Sequence, residues 1–362
     1  MTQRPYRYST IPNAAARLTA IVRRLRLTPK HPSDTIEKWI RDERRYYMPP
    51  MVNASGTMVF FKGSLQAASE LLPSLENEIQ LHDAFRRLRS APHQVFRVPT
   101  LLHSGKERRD LLWYTREYFH GRFAGTMDVD LGYRTDFLRT VTPERFVRSL
   151  AKLRRLTPAL VRAVDPPVHG SYWYGLDFAF YNRFFRSRLV YRRLVGNALP
   201  VLSDLLARHK NDLNHAARLA SHGDLYPNNL MVTSHGALGV FDWELLNLNN
   251  PAFDLSFALL LAWRNSRWQR RFARLSQPQL HGSRNVQQLV LATLCLRFLR
   301  HAIILEHPTY RRELFKGGYT QRMIARGLHE ARRALPFFRT TLHNAVRGRA
   351  FLAAQPTAEG KG

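Results

Sequence analysis

The apolar positions fall into short runs in the first third of the chain and longer helical periodicities in the remainder. Tyr46 to Val52, a turn at Asn53-Ala54-Ser55-Gly56, and Thr57-Met58-Val59-Phe60-Phe61-Lys62 read as a hairpin. From Ser74 to Leu88, Leu75, Ile79, Leu81, Phe85 and Leu88 recur at broadly helical spacing. Val98 to Leu102 opens another strand, and Leu111 to Phe119 is an apolar run that ends at His120-Gly121. From Thr142-Pro143 onward the pattern is helical, with Thr142 placed to cap and proline at the first helical position. One further hairpin interrupts that region: Leu230-Met231-Val232 and Leu238-Gly239-Val240-Phe241 flank the turn residues Thr233-Ser234-His235-Gly236.

With 362 residues and 44% hydrophobic composition, the chain has the material for two lobes with a substantial core. Gln288 to Leu305 is broken by Arg297, Arg300 and His301, so no transmembrane helix is expected. A single cysteine, Cys295, excludes an internal disulfide and fits a reducing cytoplasm. The formal net charge is +29, with the arginines spread along the whole chain. Such a field attracts polyanions and argues against a polycationic acceptor.

Residues 1–33 hold no acidic residue and form a basic N-terminal arm. Leu18, Ile21, Val22 and Leu25 recur at helical spacing within it, giving a basic amphipathic helix. It reads in three ways: an arm for an anionic membrane surface, a polyanion or another partner; a transit peptide, if the source is a eukaryote; or a helix that packs its apolar stripe on the folded body.

The chemistry concentrates in Ser221-His222-Gly223-Asp224-Leu225-Tyr226-Pro227-Asn228-Asn229 and in Asp242-Trp243-Glu244. The hairpin carries Asn229 just before its first strand and Asp242 just after its second, an amide oxygen and a carboxylate of the kind that suit Mg²⁺. Asp224, five residues before Asn229, is placed to accept the proton of an attacking hydroxyl.

These residues resemble the aminoglycoside phosphotransferase and choline kinase family, whose loop reads roughly His-Gly-Asp-Leu-His-Pro-Gly-Asn and whose strand end reads Asp-Trp-Glu. Asp254-Leu255-Ser256 stands where that family has Asp-Leu-Ala. The resemblance implies an α+β, bilobal, protein-kinase-like fold: a small, mostly β N-lobe at 34–118, a larger helical C-lobe at 119–346 and a tail at 347–362. It implies Asp224 as catalytic base, Asn229 and Asp242 as Mg²⁺ ligands, and His222 and Asp254 as supports of the loop. It also implies Lys62 as the lysine of the nucleotide phosphates, paired with Glu78, or with Glu76 as the fallback. Main-chain groups of Glu117, Tyr118 and Phe119 would meet the base of ATP or GTP.

Two departures stand out. No glycine precedes Gly56, so the nucleotide-covering hairpin lacks a Gly-rich loop, and Tyr226 and Asn228 replace the usual His and Gly. The function expected is a cytoplasmic small-molecule kinase that phosphorylates a hydroxyl of a neutral or anionic acceptor, with no obligate protein partner. The alternative is a catalytically weak kinase-like protein that holds a polyanion or an anionic membrane surface.

Overall fold

The computed structural model describes residues 9–42, 44–67, 71–88, 95–108, 110–280, 284–316 and 319–348. The expected tail lies almost wholly outside them. Two compact units share the chain: unit 1 takes 1–120, 159–165 and 239–245, and unit 2 takes 121–158, 166–238 and 246–362.

Unit 1 contains, in order, β1 (Ser9–Thr10), α1 (Ala14–Arg24), β2 (Thr28–Pro29), α2 (Ile36–Arg41), β3 (Tyr46–Tyr47), β4 (Pro50–Val52), β5 (Met58–Ser64), β6 (Gln66–Ala67), α3 (Leu71–Leu88), β7 (Leu101–Glu107) and β8 (Leu111–Glu117). Its sheet runs β2-β4-β5-β8-β7 with β3 also on β5, all antiparallel. Lys62 on β5 stands opposite Tyr114 on β8. Strand periodicity explains the two layers. Val59, Phe61, Leu111 and Trp113 point into one core with Leu18, Ile21 and Val22 of α1, whereas Leu112 and Tyr114 point into another with Leu75 and Ile79 of α3. A sheet covered on both faces needs apolar residues at consecutive positions, which is why Leu111 to Tyr114 do not alternate with polar ones.

The basic helix at the N-terminus therefore packs its apolar stripe on the body. Arg17 fixes it further, donating to the Asp110 carboxylate at 2.7 and 3.1 Å and to the Glu107 main-chain oxygen at 2.7 Å. Residues 14–24 are part of the core of unit 1 and not a separate arm. At the β4–β5 turn, Asn53 Oδ1 accepts from the amides of Ser55 and Thr57, and Gly56 takes φ +79°. The turn holds its shape through a side chain and one left-handed glycine, without further glycines.

Unit 2 is mainly helical. It continues with β9 (Gly121–Phe123), α4 (Met127–Asp130), α5 (Thr135–Thr140), α6 (Pro143–Arg155), α7 (Thr157–Ala163), α8 (Ser171–Arg186), α9 (Leu189–Val195), α10 (Ala198–Arg208), α11 (Lys210–Ala216), β10 (Leu219–Ser221), β11 (Leu230–Thr233), β12 (Leu238–Val240), β13 (Asn247–Asn249), α12 (Ala252–Leu261), α13 (Ser266–Ser276), α14 (Arg284–Ile304), α15 (Pro308–Lys316) and α16 (Gln321–Val346), α7 and β12 running over into unit 1. Thr142 Oγ1 caps α6 by accepting from the Arg145 amide. Every residue of α12 is buried, and α14 is apolar around most of its circumference, as the central helices of a bundle must be. Phe298 of α14 joins Phe257 of α12 and Phe338 of α16 in one aromatic stack. Cys295 is buried there, and burial pushes its thiol well above the ordinary range, so it is inert. No described helix is long and apolar enough to cross a membrane.

Candidate active site

In unit 2, β10 and β13 pair antiparallel, and the chain leaves β10 through His222 and Gly223, the latter at φ +80°. That left-handed step turns the chain into the loop. Asp254, in the first turn of α12, holds it from below: its carboxylate accepts from Ser221 Oγ (2.8 Å) and from the amides of His222 (2.8 Å) and Gly223 (3.3 Å). A buried carboxylate is tolerated here because three donors replace its water. The Asp224 amide donates to His222 Nδ1 at 3.2 Å, so that nitrogen carries no proton. Tyr133 then donates its hydroxyl to the Leu225 oxygen at 2.9 Å.

Past Asp224 the chain tightens. The Tyr226 amide bonds the Asp224 oxygen, and a short 3₁₀ turn over Pro227–Asn229 brings Asn229 back. Asn229 Nδ2 donates to the Asp224 main-chain oxygen (2.9 Å) and to its carboxylate Oδ2 (3.0 Å), which leaves Oδ1 as the acceptor side of the amide. Asn228 lies within the 3₁₀ turn and needs no left-handed angle. A residue with a side chain therefore serves where the resemblance implied glycine.

The other oxygen of Asp224 has a cation. Arg297 of α14 places Nη2 3.1 Å from Asp224 Oδ1 and donates Nε to the Tyr226 hydroxyl at 2.8 Å. Burial opposes the charge, but Tyr226, Asp224, Tyr181 and Asp177 hold the guanidinium well above its ordinary pKa. Tyr226 wedges its ring against Phe257 and Phe298, so its hydroxyl is a fixed anchor for Arg297.

In unit 1, Lys62 is almost fully buried and lies among three carboxylates. Its Nζ is 2.9 Å from Glu78 Oε2, 3.1 Å from Asp242 Oδ1 and also hydrogen-bonded to Glu244. The Tyr46 ring lies beneath the ammonium at 4.5 Å, and the Tyr46 hydroxyl donates to Glu244 at 3.2 Å. The pairing partner is Glu78; Glu76 meets Lys106 instead, at 3.6 Å. Burial alone would lower the Lys62 pKa, but Asp242, Glu78 and Glu244 raise it well above normal. Lys62 draws both Glu78 and Glu244 down, yet their net shifts have opposite signs. Burial pushes Glu78 up, yet Lys62 and His82 draw it well below the carboxylate range, whereas burial and Asp242 raise Glu244 to about 7 against the pull of Lys62. One ammonium cannot neutralise three carboxylates, so the most enclosed, Glu78, keeps its charge and the proton affinity of Glu244 rises towards neutral pH.

The carboxylate oxygens of Glu78, Asp242 and Glu244 lie within 4.8 Å of one another, a spacing that fits a hard cation. Lys62 already serves Glu78, which is 1% exposed, while the Asp242 side chain is 42% exposed. Asp242, which shares Lys62 through Oδ1, is thus the most solvent-accessible of the three carboxylates. It takes φ +58°, a left-handed angle that non-glycine residues adopt at a cost. Trp243 is clamped between Phe85 and Phe96 just after it.

Of the three residues expected to meet the nucleotide base, Glu117 has its amide and carboxylate engaged elsewhere. Its amide donates to the Thr100 oxygen at 2.8 Å, and its carboxylate binds Arg97 at 3.1 Å and Thr100 Oγ1 at 3.0 Å. Tyr118 is half-buried, and Phe119 packs its ring on Phe241 beneath the Arg97 guanidinium.

Residues 53–285, more than half of the chain, match the model of the phosphotransferase enzyme family. The chain belongs to that family. It is accordingly a kinase-type phosphotransferase with an alcohol as acceptor group. Solved structures share its fold: the GDP complex of aminoglycoside 2′-phosphotransferase-IIIa, at 12% identity and TM-score 0.53, covers 90% of this chain and 99% of its own. A second is described as an aminoglycoside phosphotransferase from Ralstonia eutropha JMP134, at 14% identity and TM-score 0.52, again over 90% and 99%. The GDP and kanamycin complex of a 2″-phosphotransferase aligns at 13% identity and TM-score 0.51 over 80% and 90%. No curated protein matches the chain by sequence.

Sequence reasoning missed two groups of this phosphotransferase. Glu244 was visible as the end of Asp-Trp-Glu but received no role. Arg297 was visible as a charge inside an apolar helix, and such a charge in a buried helix needs a partner.

Proposed function

We propose that this phosphotransferase moves the γ-phosphoryl group of ATP or GTP onto a hydroxyl of a small neutral or anionic acceptor. The observation that carries the reading is the double constraint on Asp224, held through one oxygen by Asn229 and through the other by Arg297. A carboxylate so fixed can align an acceptor hydroxyl and take its proton as the oxygen–phosphorus bond forms. Lys62, kept charged and oriented by Glu78, would meet the α- and β-phosphates, exchanging Glu244 for a phosphate oxygen. Mg²⁺ would be held by Asn229 Oδ1 and Asp242 and would neutralise charge on the transferring group. His222 and Asp254 act one step back, by fixing the loop. Main-chain contacts to the base would fall on Tyr118 and Phe119, since the Glu117 amide is engaged.

The test is the melting temperature of the full chain with Mg²⁺-ATP and Mg²⁺-GTP, followed by nucleoside diphosphate release over a panel of small alcohols. Stabilisation by nucleotide that depends on Mg²⁺, with acceptor-dependent turnover, is expected. Absence of any nucleotide effect would overturn the reading.

A further inference from the structure

Within unit 2, α14 carries two arginines three positions apart whose surroundings differ. Arg297 has Asp224 as its carboxylate, and Asp177 acts on it as well. Arg300, about 4.5 Å further along the axis at the helical rise, has no described carboxylate within ion-pair distance. The ionisable groups that act most on it are Tyr181, Tyr310, Tyr226 and Arg297. Its Nε is buried without a hydrogen-bond partner. Its guanidinium lies over two rings of α8, Phe180 at 4.8 Å and Phe184 at 5.3 Å, and Phe180 is itself 46% exposed. Burial draws the Arg300 pKa below its ordinary value.

Two aromatic faces return part of the lost hydration, but less than withdrawing a cation from water costs. What the faces do supply is orientation: a flat guanidinium with its donor edge fixed, which is the geometry that binds a carboxylate or phosphate through two parallel hydrogen bonds. We propose that Arg300 is a specificity residue that binds an anionic group of the acceptor, so that the substrate is an alcohol carrying a phosphate or carboxylate. The inference rests on Asp224 being the base. With Arg297 marking the base and Arg300 about one helical turn away on the same helix, one acceptor would carry both the reacting hydroxyl and the anion. A neutral alcohol would leave Arg300 short of its counter-charge.

The experiment uses the full chain saturated with Mg²⁺ and a non-hydrolysable ATP analogue, to which inorganic phosphate, acetate, glycerol 3-phosphate, glycerate or glycerol is added while melting is followed. Phosphate and carboxylate arms tell the two anions apart, and glycerol is the neutral control. One or both anion classes should raise the melting temperature of the wild type, with Arg300→Gln losing that rise and Arg300→Lys, which keeps the charge but not the fork, recovering part of it. Nucleotide-dependent release with paired charged and uncharged alcohols should show KM for the charged member rising at least about tenfold in Arg300→Gln, the loss expected for one charge-assisted hydrogen bond, while kcat stays within about threefold. No anion effect in the wild type, the same effect in Arg300→Gln, or a preference for the neutral alcohols would overturn the proposal. Absence of stabilisation by the nucleotide analogue itself would instead strike at the kinase reading, and an unchanged melting temperature of ligand-free Arg300→Gln shows that its fold is intact.

Discussion

Asn229 reaches back five residues and donates one amide nitrogen to both the main-chain oxygen and the carboxylate of Asp224, at 2.9 and 3.0 Å. The residue that would present its Oδ1 to a metal is therefore the one that aligns the Asp224 carboxylate, and the two proposed roles would be coupled through a single side chain. Asp224→Asn keeps the shape and removes the proton acceptor. Turnover should fall at least about a hundredfold, while the nucleotide-induced rise in melting temperature is retained. Steady-state nucleoside diphosphate release with acceptor, set beside melting curves, checks both halves, and near-normal turnover would remove Asp224 from the role.

Asp242→Asn separates metal binding from folding. Asn tolerates the left-handed angle that Asp242 adopts, so ligand-free stability should change little through the backbone. Losing the half-exposed carboxylate should abolish the part of the nucleotide stabilisation that depends on Mg²⁺. Melting curves with ATP in Mg²⁺ and in chelator give the comparison, and a Mg²⁺-dependent shift that survives would place the metal elsewhere.

The raised proton affinity of Glu244 gives a pH signature. Its folded pKa, about 7, lies above its ordinary value of 4.5, so the native state binds the extra proton between these limits. Stability should then fall as pH rises through that window and level off above it. Glu78 has the opposite sign: held well below 4.5, it stabilises above that pH and the contribution is lost as the solution is acidified further. Denaturant titrations without divalent ions should show a shallower decline between pH 5 and 8 for Glu244→Gln than for the wild type. Parallel profiles would place the proton on another group.

How much of this was legible in the sequence depends on whether a residue's partner lies nearby in the chain or far from it. His222, Asp224, Asn229, Asp242 and Asp254 sit in short segments at fixed spacing, and the fold class followed with them. Glu78 could be chosen over Glu76 only as a preference; in the structure Glu76 turns to Lys106. Arg297 lies 73 residues from Asp224, and no local pattern connects them. The same limit applied to α1, whose period showed an amphipathic helix but not whether lipid or protein covered it. The Glu117 carboxylate, taken by Arg97 and Thr100, likewise depends on a tertiary meeting of β8 with the segment before β7.

The burial of α1 yields the last prediction. Leu18 and Ile21 are fully buried and Val22 nearly so, in the same cluster as Phe61 and Trp113, and Arg17 is tied to Asp110. Removing residues 1–33 takes away Leu18, Ile21 and Val22 and also Ile11 and Leu27 of the same cluster, aliphatic side chains worth roughly 1.5–3 kcal/mol each, a loss comparable with the whole stability of many domains. Truncation should therefore abolish or sharply lower the melting transition of unit 1, and with it nucleotide binding through Lys62. A milder change addresses the surface charge alone: Arg23→Glu with Lys30→Glu alters exposed residues of this segment and should leave the melting temperature within a few degrees. If heparin retention falls with salt and also falls in this double variant, the basic face contributes to polyanion binding separately from its place in the core. A truncated chain that melts like the full-length protein would show that α1 is dispensable to unit 1, contrary to its packing.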